Sequence, residues 1–432
     1  MIFPKNGVKV SSFLYNFAKE KQQTINDNKL IVMRKFLLLI AAAGMWLGAS
    51  AGDAKIITPD STGFKFKDVK VIKTTRVEDQ HKSGTCWCYS TNTFFEDEIL
   101  RKSGKEVNLS QGFVVWHCYM DKAIKYIRMD GKINFAQGGS AMDVPYVWGH
   151  YGMVPEEVYS GMTYDDKKFD HSEVSDALTG YMGVINKNQR KKLTPAWIEG
   201  FKGMLNAYFG ALPEKFMWEG KEYTPQEYAA SLPINLDDYI CITSFTHHPF
   251  YKPFIIEVAD NWLWGECMNV KMEEMKAVVD NAIDKGYPVE WAADVSEPGF
   301  KFRYGYALLL KEKKAEDLKG TDFERWQQLS DKDREAEKWE VKGPVDELEV
   351  TQESRQKGFD NKETTDDHGM VIVGKAVDQK GNRYYKVQNS WDTNQLYGGF
   401  FYVSEAYFLA KTMNIYVNKE AVPAELASKI GL

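Results

Sequence analysis

Four residue types, in one order along the chain, could do chemistry together. Gln80 stands six positions before Cys86, Trp87 follows the cysteine, and turn-forming Ser83, Gly84 and Thr85 lie between. His368 comes later in Asp367-His368-Gly369, and Asn389 stands 21 residues after it in Gln388-Asn389-Ser390-Trp391. A cysteine nucleophile needs a base to take its proton, a third group to orient that base, and a donor for the oxyanion formed on attack. Cys86, His368, Asn389 and Gln80 are the candidates, in that sequence of roles. The implied chemistry is acyl transfer through a thioester. His368 would be the general base, Asn389 would hold the imidazole tautomer, and the Gln80 amide would join the Cys86 N–H at the oxyanion. Trp391 would shield the imidazole hydrogen bond from water. Gly138, Gly139, Asp367 and Trp391 are candidate substrate-binding positions. The two glycines sit in Gln137-Gly138-Gly139-Ser140, where a bare backbone would let a substrate peptide come close.

These residues need elements to hold them. Residues 65–79 alternate at Val69, Val71 and Ile72 and predict a strand leading to the Gln80 loop. From Cys86 the apolar spacing is helical through Trp87, Phe94, Phe95, Ile99 and Leu100, ending near Ser103-Gly104. Cys86 would then sit at a helix N-terminus, whose partial positive charge is expected to lower the thiol pKa and favour a thiolate–imidazolium pair. A second helix is expected from about Ser110 to Met129. After His368 the period becomes two: Met370–Gly374, Arg383–Gln388 and Phe400–Val403 read as strands, with a turn at Gly381-Asn382. The middle, about 155–345, reads as an inserted helical segment, and within it 311–345 is a charged, solvated helical face around Trp326 and Trp339. The expected class is α+β, with a cleft between a helical half and a β half.

The chain has 432 residues, 44% hydrophobic and 14% aromatic, enough for a large core. Its formal charge is -6; residues 1–51 carry a net +5, which leaves -11 for 52–432. No basic stripe lies on that part, so nucleic-acid binding is not expected. Met33-Arg34-Lys35, the apolar run Phe36–Leu47 and Ala49-Ser50-Ala51 form the three regions of a secretory signal, cleaved after Ala51. Residues 1–32 are polar and lysine-rich, and Met33 is the expected start. The apolar run is too short to span a bilayer comfortably, so a retained anchor is the weaker reading. The expected organisation is an extension and signal over 1–51 and one domain over 52–432, soluble after cleavage and periplasmic or secreted.

Cys86, Cys88, Cys118, Cys241 and Cys267 make an odd count, which leaves at least one free thiol, and Cys86 is the candidate. The other four could form up to two bridges that sequence does not pair. Cys86-x-Cys88 is too tight for a redox motif. His247 and His248 are adjacent, and adjacent residues rarely hold one ion, so neither a metal nor another cofactor is expected.

The pattern Gln80-x5-Cys86-Trp87, His368 and Asn389-Ser390-Trp391 resembles the papain superfamily. The gap of 282 residues from Cys86 to His368 is similar to that of the bleomycin hydrolase / aminopeptidase C family. So are Ser244-Phe245-Thr246-His247-His248-Pro249-Phe250-Tyr251-Lys252-Pro253, Asp260-Asn261-Trp262, and the run from Arg355-Gln356 through Phe359-Asp360-Asn361 to Thr364-Thr365-Asp366-Asp367-His368-Gly369-Met370. The resemblance spans roughly 65–418. It implies a papain-like two-lobed fold, a helical lobe plus a β-barrel-like lobe, with large helical insertions. It also implies aminopeptidase activity on peptides and a homohexameric ring around an inner cavity. A C-terminal arm would reach into the cleft, its carboxylate anchoring the substrate's amino group. Two features differ from the family: the signal segment, and the ending Val422–Leu432. The second opens an alternative, an open-cleft endopeptidase. An acyltransferase of transglutaminase type would end its constellation in Asp rather than Asn-Ser-Trp, and a peptidase-derived scaffold would not keep all four groups.

Overall fold

The computed structural model describes residues 58–432 except 165–167, 188–191, 315 and 317–320. The signal segment and its cleavage site lie outside those residues. Ile57–Leu432 is one compact unit.

The strand that begins at His368 shows how the sequence builds the core. In His368–Val377, Met370 and Ile372 point to one face and Val371 and Val373 to the other, the two-residue period of a strand buried on both sides. Each face meets its own helices. Val371 and Val373 join a core built from helices α1 (Cys86–Ser103), α2 (Gln111–Arg128), α3 (Asp143–Tyr151), α4 (Ser172–Asn186) and α5 (Ala196–Phe209). Met370 and Ile372 join a second core with α6 (Met272–Lys285), α7 (Glu405–Lys411) and α8 (Ala424–Ile430).

The sheet has 11 strands. They are β1 (Lys67–Val71), β2 (Tyr239–Thr243), β3 (Pro253–Ile255), β4 (Glu266–Asn269), β5 (Val289–Ala293), β6 (Phe300–Lys301), β7 (Tyr306–Ala307), β8 (His368–Val377), β9 (Arg383–Gln388), β10 (Phe400–Ser404) and β11 (Thr412–Asn418). Their order is β3-β4-β2-β11-β5-β8-β9-β10-β7-β6, and β1 pairs with the far end of β8. The β2–β4 and β7–β10 pairs are parallel, so the sheet is mixed. In register, His368 stands opposite Ala293 and Met370 opposite Trp291, which fixes β5 beneath the histidine.

The structure corrects the expectation for 155–345. That stretch is helical only in part: α4 and α5 and two charged helices, Thr321–Gln328 and Asp331–Lys338, hold to it. Residues 239–307 instead supply β2 to β7 and α6. The strands were hard to see because short apolar runs such as Tyr239–Thr243 carry no period of their own. α1 ends as expected, with Gly104 in the left-handed conformation at φ 72° closing the last turn onto Leu100 O.

Candidate active site

The loop before α1 is closed on itself. Ser83 N and Oγ both donate to Gln80 O, at 3.0 and 2.9 Å, and Thr85 Oγ1 donates to Ser83 Oγ at 2.9 Å. This turn delivers Cys86 as the first residue of α1, with Thr85 as the cap residue. Gln80 is buried at the turn's start. Its Nε2 donates to Ser83 O at 2.8 Å, and its Oε1 accepts from Ser390 Oγ at 2.8 Å. An amide nitrogen carries two hydrogens, so one remains for the cavity that Gln80 lines.

His368 is the first residue of β8 and is buried. Its Nε2 lies 2.7 Å from Asn389 Oδ1, which also accepts from Ser390 N at 2.8 Å. The Trp391 ring packs on the imidazole, with centroids 4.5 Å apart. With Nε2 engaged, Nδ1 is the nitrogen left for Cys86. The thiol rests against the same stretch of backbone: the Gly369 N–H favours its charged form, and Sγ lies 4.0 Å from Asp367 O. The structure thus brings Gln80, Cys86, His368 and Trp391 to one cavity, with Asn389 behind the histidine.

The electrostatics differ from the sequence expectation. Burial pushes the Cys86 thiol up to about 12, and the carboxylates Asp366 and Asp260 push the same way, while the Gly369 and Trp87 backbone pulls it down. Burial is the largest of these influences and favours the protonated thiol. His368 moves down to about 4 by burial, opposed by its bond to Asn389. Each group alone therefore favours its neutral form. Proton transfer between them creates two charges at once, which stabilise each other across the cavity.

The glycines of the opposite wall have a reason that sequence alone misses. A Cβ on Gly138 would meet Asp260 Oδ2 at 2.0 Å, and one on Gly139 would meet Asp143 Oδ2 at 2.5 Å and Trp87 Cε2 at 2.8 Å. Close packing against protein atoms demands glycine at both positions. The loop is held by Lys122 Nζ on Ala136 O and Gly138 O, and by Gln137, whose Oε1 accepts from Gly84 N at 2.7 Å. Asp367 also borders the cavity, but its carboxylate accepts from Thr365 Oγ1 and Val295 N.

Three carboxylates in the cavity were not among the candidate site residues: Asp260 and Asp366, which the sequence offered only within the motifs of the resemblance, and Glu290. A signal existed for Glu290, the one charged residue in the apolar run Val289-Glu290-Trp291-Ala292-Ala293. It pairs across β5 with positions of β8 and β11, a relation no linear pattern carries. Elsewhere, Cys241 and Cys267 form a disulfide that joins β2 and β4, and Cys86, Cys88 and Cys118 are free. Glu257 accepts from or pairs with both His247 Nε2 and His248 Nε2 at 3.0 Å, so a carboxylate accompanies the two histidines after all.

Two family models match this chain, the papain family cysteine protease over residues 61–203 and the peptidase C1-like family over 331–431. The first holds Cys86 and the second holds His368 and Asn389. Among characterised proteins the chain is 24% identical to aminopeptidase C of Lactobacillus helveticus, over 82% of each chain. It is 23% identical to aminopeptidase C of Lactococcus lactis subsp. cremoris, over 81% of this chain and 82% of that one. The chain is similar to the papain-like cysteine peptidases of the aminopeptidase C family. In fold it is similar to the crystal structure of PepW from Lactobacillus rhamnosis, with TM-score 0.64 and 20% identity over 93% of this chain and 94% of that one.

In this peptidase the C-terminus does not follow the arm that the family resemblance implies. α8 packs by Leu426 on the α6 side of the sheet, and Lys429 Nζ donates to Glu274 Oε1 at 3.0 Å. Among the described residues, none beyond Asn414 lines the cavity.

Proposed function

We propose that this protein is an exported cysteine aminopeptidase that trims peptide N-termini through a Cys86-His368-Asn389 triad. The observation that carries the reading is the pair of contacts on β8: the His368 imidazole bonds to Asn389 at 2.7 Å while the next N–H, of Gly369, acts on Cys86. In the reaction, the Cys86 proton passes to His368 Nδ1 and sulfur attacks the substrate carbonyl. The oxyanion takes hydrogen bonds from the Cys86 N–H and Gln80 Nε2. The C–N bond breaks as His368 returns the proton to the leaving amine, and water then hydrolyses the thioester with His368 as base. Trp391, Gly138, Gly139 and Asp367 border the substrate. The activity named for the relatives, aminopeptidase C, supports exopeptidase action. The two larger hydrophobic cores, one on each sheet face, support a two-lobed reading, although the strands form an open path rather than a closed barrel.

The Cys241–Cys267 bridge supports export, since disulfides persist in oxidising compartments. The homohexameric ring belongs to the family resemblance, and sedimentation of the purified protein tests it.

A second reading, an open-cleft endopeptidase, is favoured by one observation: α8 docks away from the cavity. Fluorogenic aminoacyl substrates with a free amine, compared with the same substrates N-blocked, separate the two. Cleavage of the free-amine set alone supports the aminopeptidase. Efficient cleavage of blocked peptides overturns it in favour of the endopeptidase.

A further inference from the structure

The cavity beside Cys86 has acidic lining that the reaction does not use. Glu290 is 1% exposed; its Oε1 accepts from Ser90 Oγ at 3.0 Å, but its Oε2 has no hydrogen-bond partner among the described residues. Asp366, half-buried, lines the same cavity. Asn414 Nδ2, buried in the same lining, is also without a partner among the described residues. The nearby lysine and the third carboxylate are both engaged. Lys122 Nζ is held by the carbonyls of Ala136 and Gly138, and Asp260 Oδ1 accepts from Asn134 Nδ2 at 2.8 Å. Buried polar atoms are nearly always satisfied in native proteins, so the unpaired oxygen of Glu290, a side chain that lines an open cavity, calls for a ligand that completes it.

We propose that Asp366 and Glu290 form a cation subsite that takes a positively charged nitrogen of the substrate, next to the bond that Cys86 attacks. The proposal rests on the peptidase reading and names the substrate class for that site. Burial holds Asp366 up at about 7 and Glu290 at about 8, and the charges acting on them are carboxylates: Asp260 and Asp367 on the first, Asp366 on the second. An arriving ammonium or guanidinium reverses that balance, draws out the carboxylate form and gains charge-assisted hydrogen bonds. The cavity also has apolar lining at Ala141, Met142, Ile256 and Val258. Apolar and acidic groups in one cavity suit a lysine or arginine side chain, whose stem is hydrocarbon and whose end is charged. A substrate N-terminal ammonium offers the same chemistry on a shorter reach. The cavity, about 230 Å³, is smaller than the ~300–1,000 Å³ of common ligand sites and so takes a short segment.

Two pairs of fluorogenic amides distinguish the sources. Acetyl-Arg-Ala against acetyl-Leu-Ala reports a side-chain cation, and free Ala against acetyl-Ala reports the terminal ammonium. The kcat/KM ratio within each pair is measured for wild type, Asp366→Asn and Glu290→Gln. The expected result is a preference of roughly tenfold or more for the cationic member of at least one pair, the size of one charged hydrogen bond. That preference should fall towards parity in both variants. Glutamine at 290 keeps the acceptor for Ser90, so loss of folding does not confound it. A preference that survives Asp366→Asn, or cleavage with no cation preference, overturns the proposal. Calorimetry of the matching peptide amides with Cys86→Ala reads the subsite without turnover. Preferential binding of the cationic peptides supports the subsite even if wild type cleaves nothing, which would defeat the peptidase reading alone; equal binding of cationic and neutral peptides defeats the subsite.

Discussion

Ser390 Oγ donates to Gln80 Oε1 at 2.8 Å, across 310 residues of sequence. The same two residues are joined by Gln80 N donating to Ser390 O at 2.9 Å. With its oxygen engaged, the Gln80 amide must turn its nitrogen towards Ser83 and the cavity. The residue that follows the histidine's partner thereby orients the oxyanion donor. Gln80→Ala should lower kcat by about 10²–10³-fold, the usual cost of one oxyanion donor. Ser390→Ala should cost roughly tenfold or less, since it frees the amide to rotate without removing it. Steady-state kinetics on both variants check this, and a loss of roughly tenfold or less in Gln80→Ala would mean that the Gln80 amide itself contributes little.

Cys86→Ala should abolish hydrolysis, and His368→Ala should nearly do so, with both proteins folded by circular dichroism. Asn389→Ala should be milder, because it removes the orienting acceptor and leaves the base. Residual turnover in the Cys86 variant would rule out the thioester route.

The pH–rate profile should have its acid limb near 4, well below that of a free imidazole, because burial lowers the His368 pKa to about 4. The bond to Asn389 raises the value, so Asn389→Ala should move the limb lower still. For stability the sign is the same. Unfolded histidine binds its proton from about pH 6.5 downwards and folded His368 does not, so its contribution is lost as pH falls from there to about 4. An acid limb at the ordinary histidine value would contradict the buried geometry.

Glu290 has the opposite sign. Its folded value is raised to about 8 from 4.5, so between those values the unfolded state releases a proton that the folded state keeps. Stability should fall as pH climbs through that window. Glu290→Gln should therefore gain stability over wild type at pH 8 relative to pH 5, by an amount on the order of 3 kcal/mol. Denaturant melts at the two pH values measure it, and a difference independent of pH would count against a buried, raised carboxyl.

The Cys241–Cys267 bridge closes a loop with a sequence separation of 26. Replacing both cysteines by serine should cost about 2–4 kcal/mol and leave Cys86 reactive towards iodoacetamide. Loss of that labelling would mean that the bridge also shapes the cavity, which Cys267 borders.

By itself the sequence determined the reacting groups and the elements that carry them. Gln80, Cys86, His368 and Asn389 stand in local contexts that are legible because turns, a helix start and strand periods are written in neighbouring residues: Ser83-Gly84-Thr85 before α1, and the alternation after His368. The strands of 239–307 were hidden, because a short apolar run does not declare whether it is helix or strand until a partner strand is beside it. The tertiary structure alone decided three further things. Asp143, Asp260 and Trp87 crowd Gly138 and Gly139. Burial is the largest influence on the Cys86 thiol and favours its protonated form. Glu290, Asp366 and Asn414, drawn from three strands or their approaches, line one cavity. Each depends on what residues far apart in sequence bring within a few ångströms, and both desolvation and pairing are set by those distances rather than by order along the chain.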